Sequence, residues 1–405
     1  MSPGGLREIQ GALAAAPLHP AVAQGAVPWI VAEPFHLDGE LWRALERIGE
    51  ELRRFLGGCL ALLREPAVAQ RLRGTLSDAE RAGVARLGET SCFPLLVRPD
   101  LVLDLDGNLF VTEIDLHPAH AGVLQRMQEV FGQGPTVAEV WATHVGEPAV
   151  VSVPGWKPFC GEQGYFAERV RAHGGRLDFV PIEDWQGLAA YGGVLFKNCC
   201  TIDLLSASYP AFVPPKAVLC PPVLLDWKGW LALPGEIAGL AGYAAARRLP
   251  EAHLLPLDPR RERETRRELL DLPRREKGRW IVKPLTSWGG RGFREGEHLS
   301  ADEWNRLVLG LSPAGPRHLL LQRKIESRRF SAAGLTEEGE AVELEDLRIR
   351  LGPYYVMGCG RSHLAGALVT LRRSDKVRGA RDAIYTLGLP DLAKAEGPRG
   401  REGAP

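Results

Sequence analysis

The stretch that most limits what this chain can fold into is Arg98-Pro-Asp-Leu-Val-Leu-Asp-Leu-Asp-Gly-Asn-Leu-Phe-Val-Thr-Glu-Ile-Asp115. Apolar residues alternate on both sides of Asp106-Gly107, as two strands with one buried face each require. Asp-Gly favours a two-residue turn of type I′, in which both central residues need φ > 0. That turn fixes a register. Leu105 faces Asn108, Leu103 faces Phe110, Leu101 faces Thr112, Asp100 faces Glu113 and Arg98 faces Asp115. Residues two apart on a strand share a face. One face is therefore expected to carry Arg98, Asp100, Glu113 and Asp115, and the other Leu101, Leu103, Phe110 and Ile114.

Opposed side chains stand about 5 Å apart at Cβ. Two like charges at that spacing repel by about 0.8 kcal/mol in water, and by about 3 kcal/mol at an effective dielectric near 20. Arg98 offsets part of this. A hard divalent cation would convert the remainder into coordination, and Mg²⁺ commonly takes a few carboxylates plus substrate phosphates. The alternative is a solvated hairpin face with a surface salt bridge. The loop His117-Pro-Ala-His-Ala-Gly122 follows, and its two histidines either extend such a site or have no ligand role.

At 405 residues the chain is too long for one ordinary core, so two or three domains are expected. Hydrophobic content of 45% and charged content of 25% are those of a soluble globular protein. A formal net charge of zero weighs against a nucleic-acid or membrane partner. No apolar run suggests a signal peptide or a membrane span. The 7 cysteines are scattered with no Cys-x-x-Cys pair, which suits reduced thiols in a cytoplasmic protein and argues against zinc. Only 9 lysines accompany 41 arginines, so a lysine beside a candidate site draws notice.

In chain order, Leu41, Leu45, Ile48, Leu52 and Phe55 recur at helical spacing and predict an amphipathic helix over about 39–63. Ser77-x-x-Glu80 is a capping box, with Gly88 closing its helix, and another helix is expected near 135–143. Over 149–225, strands at Ala149–Val153, Leu177–Pro181, Val194–Phe196 and Ala217–Cys220 surround a helix at Gly164–His173, the pattern of a small parallel α/β unit. A helical stretch to about 248 follows Leu225-Asp-Trp-Lys228, then a charged helix over roughly 259–275.

Trp280-Ile-Val-Lys-Pro-Leu-Thr-Ser-Trp-Gly-Gly-Arg-Gly-Phe293 is the second informative stretch. A β-run ends in Lys283, and a glycine-rich loop follows. Amides in such a loop can approach phosphate oxygens closely, and the lysine adds a point charge. A plain hairpin turn is the alternative. Ser300-x-x-Glu303 caps a further helix, and His318–Gln322 reads as a buried strand. Val342–Arg350, Tyr354–Met357 and Ala365–Leu371 read as consecutive antiparallel strands. Arg348 and Arg350 share a face, where they could grip an anion or stand as surface arginines.

Together these stretches resemble the halves of an ATP-grasp active site. Arg98-x-Asp100 with Glu113-x-Asp115 resembles that family's metal hairpin, usually Arg-x-Asp … Glu-x-Asn, with Asp115 in place of the asparagine. Ile281-Val-Lys-Pro284 and its glycines resemble the phosphate-covering loop, although Trp288 departs from it. Leu320-Leu-Gln-Arg-Lys-Ile325 resembles the strand that reads adenine. Asp226-Trp-Lys228 sits where the family often carries a nucleotide-binding lysine. The hairpin precedes the rest of the site, whereas it usually comes last. That order resembles the circularly permuted branch, of the glutathionylspermidine synthetase type, and the resemblance covers about 90–385.

The fold class implied is α/β (α+β): a circularly permuted ATP-grasp fold with an inserted small parallel α/β pre-ATP-grasp domain. The expected divisions are a helical N-terminal region with the metal hairpin (1–145), the pre-ATP-grasp domain (146–225), a nucleotide-binding lobe (226–325), the remaining core (326–387) and a disordered tail (388–405). The activity implied is an ATP-dependent carboxylate–amine ligase acting through an acyl-phosphate, with ATP and Mg²⁺ as cofactors and small acids and amines as substrates. Asp100, Glu113 and Asp115 would hold Mg²⁺. Lys228 and Lys283 would neutralise phosphate charge under Gly289, Gly290 and Gly292. Gln322, Lys324 and Ile325 would line the adenine slot. Arg98 would steady the transferring phosphoryl group, and Arg348 the substrate carboxylate. A non-catalytic nucleotide-binding or assembly protein of the same fold, and a small-molecule phosphotransferase, are the alternatives.

Overall fold

The computed structural model describes residues 33–87, 93–146, 149–153, 157–181, 193–197, 218–222, 224–235, 237–255, 262–272, 274–285, 292–309, 311, 319–335, 340–372 and 384–391, with 5, 7, 8, 11 and 12 near the start. Among these, seven strands form the principal sheet. They are β1 (Phe35–Leu37), β2 (Leu96–Leu103), β3 (Leu109–Asp115), β12 (Arg329–Leu335), β13 (Ala341–Gly358), β14 (Arg361–Arg372) and β15 (Ile384–Pro390). The order is β1-β15-β14-β13-β2-β3, with β12 also pairing β13. The expected Val342–Arg350 and Tyr354–Met357 strands are one 18-residue strand, and β15 carries ordered structure through Pro390, past the expected start of the tail.

Helix α1 (Gly39–Leu62) opens at Asp38, whose side chain accepts from the amides of Glu40 at 3.0 Å and Leu41 at 2.8 Å. Its buried stripe of Leu45, Ile48, Leu52, Phe55 and Cys59 covers one face of the principal sheet. Burying such side chains contributes about 1.5–3 kcal/mol each. The Tyr355 hydroxyl donates to the Leu45 carbonyl at 2.6 Å and fixes that contact. The opposite face of the sheet carries the charged residues.

Two further helices, α2 (Pro66–Gly74) and α3 (Asp78–Leu87), follow. The Ser77–Glu80 capping box forms as expected, and Gly88 lies outside the described residues. Ala121 and Gly122, expected in a loop, instead open α4 (Ala121–Val130), and α5 (Val137–His144) comes next. A Cβ at Gly122 would lie 2.0 Å from the Glu162 carbonyl oxygen, so only glycine lets α4 approach α6 (Lys157–Ala172) there.

The small unit is a parallel sheet in the order β5 (Leu177–Pro181), β4 (Ala149–Val153), β6 (Val194–Lys197), β7 (Val218–Cys220). The expected helical stretch before 248 is mainly 3₁₀ turns, with one α-helical turn at Ala238–Ala241. The expected charged helix is α7 (Arg263–Asp271), with a separate turn at Arg274–Lys277.

A third, four-stranded sheet runs β10 (Arg294–Glu295), β9 (Trp280–Pro284), β11 (Leu319–Arg323), β8 (Ala252–Leu255). One of its faces, with Trp280, Val282, Leu255 and Leu321, packs on α7 and α8 (Ala301–Leu309) as a separate core. The other face turns Leu254 and Leu320 toward the main core. Lys283 lies two residues from Ile281, whose cross-strand partner is Gln322, so all three share this inward face.

The β2–β3 hairpin departs from the expected register in two places that cancel. The turn holds three residues, Leu105 to Gly107, closed by the Asp104 amide donating to the Asn108 carbonyl at 3.0 Å. Asp106 keeps negative φ, and Gly107 alone is left-handed at φ +88°, so the turn is not type I′. The Asp104 carboxylate accepts from the amides of Asp106 and Asn108 and holds this shape. The slip pairs Leu101 with Val111 and Val102 with Phe110, so Val111 takes the core place expected for Phe110. A bulge at Thr112 then restores Asp100 opposite Glu113 and Arg98 opposite Asp115.

Candidate functional site

The charged face of the principal sheet meets the inward face of the β8–β11 sheet. Arg98 is 4% exposed and Asp100 is 3% exposed. Arg98 donates to Asp115 at 2.9 Å, to the Tyr354 hydroxyl at 3.2 Å and to the Ala119 carbonyl at 3.0 Å. Its Nε lies 3.6 Å from Asp100. Asp100 accepts from Arg350 at 2.8 Å, and Arg350 also donates to Thr370 at 3.0 Å. Burial acts to lower the pKa of Arg98. The Tyr354 hydroxyl and the Asp115 and Asp100 carboxylates outweigh it and hold the guanidinium firmly protonated. Burial pushes the Tyr354 phenol up, keeping it a neutral donor that also bonds the Ala119 carbonyl.

The Thr112 bulge joins the two sheets. Lys283 donates to the Thr112 carbonyl at 3.1 Å and to Gln322 Oε1 at 2.7 Å. The Thr112 hydroxyl donates back to the Asp100 carbonyl at 3.0 Å and braces the bulge. Lys228 lies 3.5 Å from Glu113. Its amide donates to the Leu285 carbonyl at 3.4 Å, tying the Asp226–Lys228 segment to the end of β9. His117 Nδ1 stands 3.1 Å from Asp226 and 3.8 Å from Asp115. Asp100, Glu113, Asp115 and Asp226 thus face Arg98, Lys228, Lys283 and Arg350, a cluster close to charge balance.

Next to it, Arg329, Arg348 and Arg372 are direct cross-strand partners on β12, β13 and β14. Like charges directly opposed in a sheet are destabilising. Burial, and then the Arg329 guanidinium, lower the pKa of Arg348. Lys324 bonds Glu295 at 2.9 Å. Burial would raise the Glu295 pKa, but the Lys324 bond and charge prevail and lower it.

The structure thus brings Arg98, Asp100, Glu113, Asp115, Lys228, Lys283 and Gln322 into one network and sets Arg348 beside it. Lys324 turns to Glu295, and Ile325 is half-buried on the segment leading to β12. Gly292 is exposed, while Gly289 and Gly290 lie outside the described residues. Sequence reasoning missed Asp226 as the partner of His117 and Tyr354 as the brace of Arg98. Asp226 carried a signal, since it stands two residues before Lys228, but Tyr354 carried none.

Gln322 is fully buried, and its Nε2 has no hydrogen-bond partner among the described residues. A buried amide donor beside Lys283 fits an acceptor oxygen or ring nitrogen of a nucleotide. The hairpin carboxylates are the hard donors Mg²⁺ prefers, and an ionised carboxylate has acceptor sites for several partners at once. They are not gathered to a point. Among the described residues, only Glu295, Glu297 and His298 bring three ligand-type groups within 4.8 Å of one another. A separate cavity of ≈ 620 Å³ lined by Arg71, Arg247, His253 and Glu262 shares no residue with the network.

The fold is similar to that of a glutathione synthetase-like effector from Globodera pallida, solved in its apo form. The two share 10% identity, over 95% of this chain and 97% of that one, with a TM-score of 0.55. A protein provisionally described as a gamma-glutamylcysteine synthetase, from Methylobacillus flagellatus KT, aligns at 13% identity over 85% of this chain and 86% of that one. Its TM-score is 0.35, too low to carry an argument. No family model and no curated protein matches the sequence. The class defined is therefore a fold, mixed α/β and like that of the glutathione synthetase-like effector. Among the described residues no helix is long and apolar enough to cross a membrane.

Proposed function

We propose that this chain is an ATP-dependent ligase that joins a carboxylate to an amine through an acyl-phosphate. One observation carries the reading: Lys283, on the strand before the glycine-rich stretch of the sequence, donates at 3.1 Å to the bulge of the acidic hairpin, 171 residues earlier. Two segments that suit phosphate and metal binding separately thus meet at one place. We also read the hairpin's early place in the chain as circular permutation of an ATP-grasp core, and β4–β7 as the pre-ATP-grasp unit.

In this reading the acid's carboxylate oxygen attacks the γ-phosphorus of ATP, and ADP leaves. The amine then attacks the acyl carbon, loses a proton and expels phosphate. Lys283 and Lys228 neutralise phosphate oxygens, and the Gln322 amide donates to the nucleotide. Arg98, braced by Tyr354, stabilises the transferring phosphoryl group. Asp100, Glu113 and Asp115 would hold Mg²⁺, which supplies charge neutralisation at the phosphates. Gly289, Gly290 and Gly292 would exclude water from the acyl-phosphate. Lys324 and Ile325 would border the adenine, and Arg348 the acid substrate.

The test is ADP release across a matrix of acids and amines. Release that needs both is expected, whereas a phosphorylated acid that persists beside the amine would make the protein a phosphotransferase. The second reading, a nucleotide-binding protein without turnover, draws on the arginine bonds that already engage Asp100 and Asp115. Tight Mg²⁺·ATP binding with no ADP release over the whole matrix would establish it.

A further inference from the structure

In the sheet order β10-β9-β11-β8, β8 is an edge strand. Glu251, just before it, and Ala252 and His253 within it line the ≈ 620 Å³ cavity. The Arg323 amide donates to the Glu251 carbonyl at 2.8 Å, and Leu321 lies opposite His253. On the other side of β11, the Lys324 amide donates to the Arg279 carbonyl at 2.7 Å. Successive residues of a strand turn their backbone groups to opposite sides. Glu251 and His253 therefore face β11, and Ala252 turns its amide and carbonyl to the outer edge. Among the described residues no strand pairs with that edge. Such an edge is a template for a further strand. The cavity beside it has apolar walls at Leu231, Pro234, Ala246 and Leu249. It also carries both signs of charge, with Arg71 and Arg247 against Glu251 and Glu262. A purely anionic guest meets the two carboxylates there and a purely cationic guest the two guanidiniums, whereas a guest with one charge of each sign suits both. The volume is that of a site for a compact organic molecule.

We propose that this cavity binds a short peptide with apolar side chains and free termini, which adds to β8 as a further strand through the Ala252 amide and carbonyl. Main-chain bonds of this kind supply affinity, and the walls beside the strand select side chains. The peptide's carboxylate faces the arginines and its ammonium the glutamates. The site shares no residue with the nucleotide junction and does not rest on the ligase reading.

Calorimetry and amide-resolved hydrogen exchange on the full-length protein, without nucleotide, test it. The probes are the free-ended tripeptides Ala-Ala-Ala, Ala-Leu-Ala and Leu-Ala-Leu. Their controls are the same peptides N-methylated at both amides, the same peptides acetylated and amidated at the ends, and free leucine. At least one free-ended tripeptide should bind, and at least about tenfold more tightly than its N-methylated form, which cannot donate to the Ala252 carbonyl. Its binding should slow exchange of the Ala252 amide and leave the His253 amide, already turned to β11, unchanged. Arg71→Gln combined with Arg247→Gln, both exposed side chains, should erase the advantage of free over capped ends. Ala246→Trp, which fills the cavity from a half-buried turn, should abolish binding. No binding of any tripeptide at about 1 mM overturns the proposal. So does equal affinity for the N-methylated forms, for the capped forms or for free leucine, or an Ala252 amide whose exchange the peptide does not slow. Nucleotide binding and ADP release play no part in these measurements, so the peptide site and the ligase reading stand or fall separately.

Discussion

Asp100 lies between two guanidiniums, Arg350 at 2.8 Å and Arg98 at 3.6 Å, with almost no exposure. Breaking a buried pair by removing one partner typically costs about 3–5 kcal/mol, because the remaining charge stays buried. Asp100→Asn is expected to lower the free energy of unfolding in urea by about 3 kcal/mol. Lys283 is different, because it makes two bonds at the join of the sheets and stands beside the Gln322 donor. Lys283→Met should cut ADP release at least about tenfold, or about 1.4 kcal/mol of transition-state stabilisation. A near-wild-type rate would remove Lys283 from the mechanism. Gly122→Ala tests packing alone. Its methyl would lie 2.0 Å from the Glu162 carbonyl oxygen, so a loss of about 2 kcal/mol or more is expected in the same urea measurement.

The hairpin shows how an element can be read correctly at its functional end and wrongly at its turn. Alternation and the Asp-Gly pair marked two strands, and the pairs Arg98–Asp115 and Asp100–Glu113 formed as expected. The three-residue turn and the Thr112 bulge were not legible, because local composition does not distinguish a two-residue turn from a bulged one. α4 was missed for a related reason, since Pro118 and Gly122 punctuate the stretch as a loop would. The joining of two expected strands into β13 reflects long pairing with β14, which only the fold supplies. At the far end of that pair, His363 stacks on His144 of α5, ring centroids 3.5 Å apart and planes 6° apart. Burial, then the neighbouring imidazole, lower the His363 pKa below its ordinary 6.5. The unfolded chain therefore takes up this proton at a higher pH than the folded one. The contribution is present above pH 6.5 and falls away as the pH drops toward the folded value. The wild type should lose more thermal stability between pH 7.5 and 5.5 than His363→Gln, and equal losses would contradict this.

At the scale of the whole molecule, a sheet covered on one face by α1 presents its other, charged face to a second sheet with its own core. The halves are pinned by Lys283 to the Thr112 bulge, by the Lys228 amide to Leu285, and by the Arg328 amide to Leu103 at 3.0 Å. The residue types at each half were legible in the sequence. Their meeting was not, because nothing local in the chain records a contact across 171 positions. The central claim is that a nucleotide occupies the junction, and hydrogen exchange of the full-length protein with a non-hydrolysable ATP analogue and Mg²⁺ tests it directly. Slowed exchange in both 109–115 and 280–285 is the predicted result. Protection confined to one of these segments, or to neither, would contradict the account.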